Sequence, residues 1–373
     1  MTRIYILGVG NVGKLLAHAI KTLPEQPDVT LLMHSKSLVE AWESGGKSVV
    51  VQNQDGIERS TGYDVELVQP DSHISSTRTP IRHLFVATKT FATSSALESV
   101  QGRISSETRI YFFQNGIGTV DEVRERMFPD VYTAPLLFQG ILFHGTQRES
   151  LATAREDRRH DFTVKHSSHG YLIVGLCNAR LKHATHQHHN DGEAVSRSRE
   201  TDRRVLDDDA LQMLQRCPRL NTVIVSADEL RVVQLEKLAV NAIINPLTAI
   251  TDAPCGIFMA QRSCVSQIVR RIVEEVSTIL CALPEVADHS DVAARFGIDR
   301  LEALVYKTAK ACGVNFVSSM LDDVRAGRQT EIWHINGFLL RQAEDLNIPC
   351  PVNCTLVQLV EAKTAKPKQL LYK

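Results

Sequence analysis

The sequence has little of what marks a secreted, membrane-bound or nucleic-acid-binding chain. The apolar run at its start, Ile4 to Gly10, is too short to span a bilayer and lacks the charged leader and long apolar core of a signal peptide. It reads instead as a first strand. The expectation is a cytoplasmic protein with no membrane partner, mitochondrial import by another route being left open. Lys and Arg number 42 against 43 Asp and Glu, a net charge of -1, and no long basic run stands out. That balance offers no general attraction to nucleic acid or anionic lipid, so any anion site has to be local. The eight Cys, Cys177 to Cys354, include no close pair resembling a zinc knuckle and no dense scaffold, so reduced thiols are expected. No internal repeat is present, and the Lys-rich tail from Ala362 to Lys373 is the one biased tract.

What is present is a chain of 373 residues, 43% hydrophobic, long enough for two domains. Its N-terminal part alternates short apolar runs with helix-like segments: Ile4 to Leu7, Val12 to Leu23, Val29 to Met33, Val65 to Val68, Leu84 to Ala87 and Arg109 to Phe113. Such alternation implies βαβ units around a mostly parallel sheet. Later strand candidates are Tyr132 to Phe138, Tyr171 to Val174 and Thr222 to Val225. Two polar inserts, Gln147 to Ser168 and Leu181 to Asp209, are too poor in apolar residues to hold a core and read as mobile surface loops. The second carries His183, His186, His188 and His189; in so mixed a loop they read as solvated side chains, and no metal is expected. After Ser226 the segments become long and 3.6-periodic: Asp228 to Thr251, Val265 to Leu283, Val292 to Cys312, Leu321 to Ala326 and Gln329 to Leu346. The fold class is therefore α/β, with a dinucleotide-binding domain over 1–225 and a helical domain over 226–373.

Gly8-Val9-Gly10-Asn11-Val12-Gly13 follows the first strand and opens the first helix, the context that a GxGxxG turn requires. Gly8 permits the tight turn, Gly10 lets backbone approach a pyrophosphate, and Gly13 allows close helix packing, while the helix N-terminus supplies N–H groups. An NAD-selecting site places a carboxylate after the second strand. Here His34-Ser35-Lys36-Ser37 follows Met33 instead. A hydroxyl and a cation, Ser35 and Lys36, suit a 2'-phosphate and favour NADP(H), although a solvated loop lysine accounts for Lys36 equally simply.

Lys237, Asn241 and Asn245 recur every fourth position in a segment whose intervening residues are all apolar. They share one helical face, a polar stripe on an otherwise buried helix, which needs a cavity or partners. A lysine at the edge of a cleft has a readily shifted pKa and suits proton donation; a neighbouring helix or buried water satisfying the stripe is the plainer alternative. Further on, Ser319 with Asp322 forms a capping-box pattern, and Thr330 with Glu331 stands at a helix start. Those readings need no function, but a helix start in a cleft also binds a substrate carboxylate.

These segments, with Ala87-Thr88-Lys89-Thr90, Gln114-Asn115-Gly116-Ile117-Gly118, Asn245-Pro246-Leu247-Thr248 and Ile335-Asn336-Gly337, together resemble the ketopantoate reductase family over nearly the whole chain. The resemblance implies a Rossmann domain joined to a helical domain like that of 6-phosphogluconate dehydrogenase, with substrate in the cleft between them. It implies reduction of 2-dehydropantoate to (R)-pantoate by NADPH, towards pantothenate and coenzyme A. In that reading Lys237 is the general acid and Glu331 hydrogen-bonds the substrate; Asn241, Asn245 and Ser319 contact it; Lys89 and Asn115 lie beside nicotinamide and substrate. The chain departs from the family in having no arginine after the second strand, and in its two inserts, which are absent from compact members and fit a fungal-type one. The alternatives are a reductase of another branched 2-keto acid and a catalytically silent NADPH-binding sensor or assembly protein. A homodimer is compatible with the sequence but not required by it.

Overall fold

The apolar run at the start of the chain forms β1 (Arg3–Leu7), and the expected alternation follows it: α1 (Asn11–Lys21), β2 (Asp28–Met33), α2 (Lys36–Ser44), β3 (Val49–Asn53), β4 (Gly56–Ser60) and β5 (Asp64–Leu67). Then come β6 (His83–Val86), α3 (Thr93–Glu98), β7 (Arg109–Phe112), α4 (Thr119–Met127), β8 (Leu136–Leu142), β9 (Gly145–Gln147), β10 (Thr163–Ser168), β11 (Leu172–Leu176), α5 (Asp209–Gln215) and β12 (Thr222–Ile224). The structure is a computed structural model that describes residues 2–68, 79–130, 132–148, 162–177, 208–260, 263–287 and 291–365. His183, His186, His188 and His189 lie outside these residues, as do 149–161 of the first insert and 366–373 of the tail.

Two compact units result, Met1–Gln114 with Thr119–Leu230, and Asn115–Gly118 with Arg231–Lys373. In the first, eight strands run in the order β12-β11-β8-β7-β6-β1-β2-β5. From β5 to β8 every pairing is parallel, while β11 runs antiparallel to β8. Read from β5, the six parallel strands have the 3-2-1-4-5-6 order of a dinucleotide-binding sheet. Both faces are covered, so β1 is buried from Ile4 to Leu7. Ile4 and Ile6 enter a core with Leu15, Leu16 and Ile20 of α1, while Tyr5 and Leu7 enter another with Leu84, Val86, Ile110 and Phe112.

The first insert needs correcting at its end. Residues 163–168 are not a surface loop but β10, paired with β3 and β9 in a second sheet ordered β4-β3-β10-β9. Phe162 meets Trp42 edge-on at 4.8 Å between ring centroids, Val164 is fully buried, and Lys14 Nζ of α1 donates to the Thr163 carbonyl at 2.7 Å. The close of the second insert needs a similar correction. Asp208 is buried, accepts from the Tyr111 hydroxyl, pairs with Arg109 Nε at 3.1 Å and caps α5 through Leu211 N. Two hydrogen bonds to one oxygen and an ion pair to the other let this carboxylate be buried. The eighth strand begins at Leu136, not Tyr132, which is exposed.

The second unit is helical among its described residues: α6 (Ala227–Thr251), α7 (Ser263–Ala282), α8 (Pro284–Ala287), α9 (Val292–Phe296), α10 (Ile298–Cys312), α11 (Ser319–Arg325), α12 (Ile332–Asp345) and α13 (Pro351–Thr364). Its core joins Leu235 to Leu247 of α6 with Ile272 to Leu280 of α7, Leu301 and Val305 of α10, and Ile335 and Leu339 of α12. The segment expected as one helix over Val292 to Cys312 is two, because Gly297 takes an extended conformation that breaks the run. No helix among the described residues is long and apolar enough to cross a membrane.

Candidate functional site

In the first unit the glycines of the β1–α1 turn serve different ends. Gly8 has φ +100°, and a Cβ there would lie 2.6 Å from the backbone of Ala87 and Thr88, at the exit of β6. A Cβ at Gly13 would lie 2.0 Å from the Gly8 carbonyl oxygen. These two are demanded by the protein's own packing. Gly10 is not: its φ of -77° suits any residue, and a Cβ would come no closer than 4.0 Å to the Ala87 oxygen. It caps α1 without a side-chain hydrogen bond. Open space beside uncapped first-turn amides, at Gly10, Asn11 and Val12, fits the pyrophosphate of a dinucleotide. We expect Gly13→Ala to destabilise the fold by about 2–4 kcal/mol. Gly10→Ala should leave stability within about 0.5 kcal/mol but weaken cofactor binding. Thermal melts paired with cofactor fluorescence titration separate the two, and a Gly10→Ala protein that melts early would remove the distinction.

After β2, Ser35 caps α2, its hydroxyl accepting from Leu38 N at 3.3 Å, and Lys36 is an exposed first-turn residue. The capping role of Ser35 needs no ligand. Lys89 follows β6; its carbonyl accepts from Ala92 N at 3.0 Å and from the Thr93 hydroxyl at 3.1 Å. Thr93 also receives Gln114 Nε2 at 2.9 Å, so the turns after β6 and β7 are braced together.

The second unit gathers the other predicted residues. From Leu238 to Ala249 every residue of α6 is buried except Asn241, with Asn245 only 7% exposed. Lys237 lies half-buried one turn before Asn241, so solvent reaches this stretch along the polar stripe. Burial lowers the Lys237 pKa to about 8, and the nearby Glu331 carboxylate opposes that shift. Glu331, 5% exposed, occupies the N-cap position of α12 but makes no capping hydrogen bond with its side chain. The turn before it is fixed by Arg328, which bonds Asp323 at 2.9 Å and Asp322 at 2.5 Å.

Sequence reasoning assigned the α11 cap to Ser319. The structure gives it to Ser318, whose hydroxyl accepts from Leu321 N at 3.1 Å and bonds Thr248 of α6 at 2.7 Å, while Ser319 is exposed as the first helical residue. Asn115 belongs to a loop held by α12. Gly116 has φ +81°, and a Cβ there would lie 2.5 Å from the His334 oxygen; Ile117 N donates to that oxygen at 3.0 Å. The loop carrying Asn115 is thus tied to the helix that begins beside Glu331.

One further residue was missed as an anchor. Pro246 lies inside α6 and has no N–H for the carbonyl of Ala242, four residues earlier. Asn336 of α12, fully buried, donates Nδ2 to that carbonyl at 2.9 Å and to Asn353 Oδ1 at 2.9 Å. Asn353 in turn reaches Glu275 of α7. One amide thus replaces the backbone hydrogen bond that Pro246 removes beside the stripe.

Known proteins resemble the chain at both ends. Residues 4–179 match the family model described as "Ketopantoate reductase PanE/ApbA", and residues 229–364 its C-terminal counterpart. A probable 2-dehydropantoate 2-reductase of Schizosaccharomyces pombe is 25% identical over 370 residues, covering 96% of each chain. A ketoisovalerate reductase of Beauveria bassiana is 25% identical over 420 residues, covering 99% of this chain and 85% of its own. Among solved structures, a ternary complex of D-mandelate dehydrogenase with NADH and anilino(oxo)acetate shares the fold, with a TM-score of 0.68 at 19% identity, covering 97% of this chain and 98% of that one. With both family models matched in order over most of its length, the chain belongs to the ketopantoate reductase family.

Proposed function

We propose that the protein is an NADPH-dependent 2-dehydropantoate 2-reductase in which Lys237 is the general acid. The carrying observation is a lysine brought by burial to a pKa of about 8 beside a buried carboxylate. Reduction of a 2-keto acid puts negative charge on the ketone oxygen, and an ammonium in hydrogen-bond reach stabilises that charge and then gives up its proton. A pKa near the working pH lets Lys237 be charged before the step and readily reprotonated after it. Glu331 keeps Lys237 protonated against the pull of burial and accepts a substrate hydroxyl, while Asn241, Asn245 and Ser319 hold the rest of the substrate. Gly8, Gly10, Asn11, Val12 and Gly13, with Ser35, Lys36, Lys89 and Asn115, would hold the cofactor. When bound, the reduced nicotinamide supplies the hydride.

A second reading, reduction of 2-ketoisovalerate, is favoured by the Beauveria bassiana relative, whose match spans 99% of the chain. The two substrates differ by one hydroxymethyl group. A site that hydrogen-bonds a hydroxyl rejects the analogue lacking it by up to about 10⁴-fold, whereas a merely apolar pocket discriminates by only about 10²-fold. We expect kcat/KM for 2-dehydropantoate to exceed that for 2-ketoisovalerate by at least about 10²-fold. The reverse ratio would move the assignment to the second substrate, and NADPH binding without any 2-keto acid turnover would leave a sensor. In the same assays, comparable rates with NADH and NADPH would overturn the 2'-phosphate role given to Ser35 and Lys36.

A further inference from the structure

Three histidines outside the proposed catalytic machinery meet in the first unit. His144 lies between β8 and β9, His166 is in β10, and His169 follows β10; one ring nitrogen from each falls within 4.8 Å of the others. His144 and His166 are 7% and 2% exposed, while His169 is exposed.

The hydrogen bonds around His144 fix its tautomer. Nε2 lies 3.1 Å from the Leu220 carbonyl, which can only accept, so Nε2 carries the proton. Nδ1 receives the Gly170 amide at 3.2 Å, so it is bare. That bare nitrogen accepts from His166 Nε2 at 3.0 Å, so His166 carries its proton on Nε2 in this structure. A ring whose far N–H is held by a backbone carbonyl, with its near lone pair turned towards a second imidazole, is the arrangement that orients a metal-binding histidine. The other nitrogen of His166, Nδ1, is buried with no hydrogen-bond partner of good geometry, although the Ser168 backbone exerts a weaker pull on the ring. The His169 ring stands edge-on to His166, centroids 4.4 Å apart.

We propose that His144 Nδ1, His166 Nε2 and His169 form a site for one divalent ion of the Zn²⁺ class. Nitrogen ligands about 2.0–2.1 Å from tetrahedral zinc are separated by roughly 3.3 Å. The buried pair is already within a few tenths of an ångström of that spacing, and the exposed His169 is free to swing in. The ion displaces the Gly170 amide and the His166 Nε2 proton from His144 Nδ1; His166 shifts to the tautomer that carries its proton on Nδ1, and water completes the shell. Arg219 is the cation bearing on His166, and its charge is met by Glu58, bonded at 2.6 Å and 3.1 Å. Three neutral imidazoles and no thiolate select Zn²⁺ over the hard ions Mg²⁺ and Ca²⁺. The site joins the end of β8, the smaller sheet and the loop at Leu220, so the ion acts as a clip that strengthens the first unit.

The test uses untagged, metal-stripped full-length protein in which His183, His186, His188 and His189 are replaced by Gln, so that the insert cannot contribute ligands. Equilibrated with Zn²⁺ and desalted, it should retain one equivalent, and Zn²⁺ should raise its melting midpoint. Adding His169→Ala, an exposed change that leaves the buried pair intact, should weaken binding by at least about tenfold and abolish the thermal shift. Mg²⁺ at the same concentration should shift neither protein. The proposal is overturned if the insert-substituted chain retains no zinc, or if His169→Ala retains it with equal affinity.

Discussion

Lys237→Ala should lower kcat by about 10²- to 10⁴-fold, the usual worth of a positioned proton donor. NADPH affinity should hardly change. Lys237 belongs to a different unit from the glycine turn and is not among the residues proposed to hold the cofactor. Cofactor fluorescence titration beside turnover measurements checks this, and an equal loss of both would contradict the acid role. The pH dependence is sharper. In the proposed acid role the protonated Lys237 is the active form, and burial sets its pKa at about 8, so the reduction rate should be level at neutral pH. Above about pH 8 it should fall roughly tenfold per unit. The Glu331 carboxylate raises that pKa, so Glu331→Gln should move the falling limb to lower pH. A residue that merely binds substrate would raise KM and leave the limb in place. A limb unmoved in Glu331→Gln would therefore confine Glu331 to substrate binding.

The polar stripe was legible because the sequence states it outright: three polar residues at helical spacing in an apolar run need explanation wherever the helix lies. The mostly parallel sheet was legible in the same way, since strands buried on both faces leave continuous apolar runs, although the order of its strands was not. Short elements were not. The strand β10 is embedded in polar sequence, and its cue is only Phe162, Thr163 and Val164, too few to stand against their neighbours. The cap of α11 was misplaced by one residue because Ser318 and Ser319 are adjacent and only the backbone distinguishes them. His144 and His166 are 22 positions apart, and no local rule brings them together. Nor does local sequence reveal that Asn115–Gly118, lying between strands of the sheet domain, groups by contact with the helical unit. The glycine at 116 is a trace of that grouping, but its cause, the His334 carbonyl, is distant in sequence.

Asn336→Leu should be among the most destabilising single changes in the helical unit, although Asn336 touches none of the proposed chemistry. It is fully buried, and its amide donates to the Ala242 carbonyl and to Asn353 Oδ1, so an apolar replacement leaves two buried acceptors short of a donor. At about 1–3 kcal/mol for each, the expected cost is roughly 2–6 kcal/mol. The Ala242 part has a separable cause, because that carbonyl needs an outside donor chiefly where Pro246 supplies no N–H. Pro246→Ala restores the amide four residues on, so Asn336→Leu should cost at least about 1 kcal/mol less in that background. Denaturation of the four proteins of this double-mutant cycle, followed by helical circular dichroism, measures the coupling. Equal costs in both backgrounds would mean that Asn336 acts through Asn353 and Glu275 alone. A positive coupling would make Asn336 the residue that permits a proline in α6, one residue past Asn245. The helix that carries the stripe would then owe its tolerance of Pro246 to a partner 94 positions along the chain from Ala242.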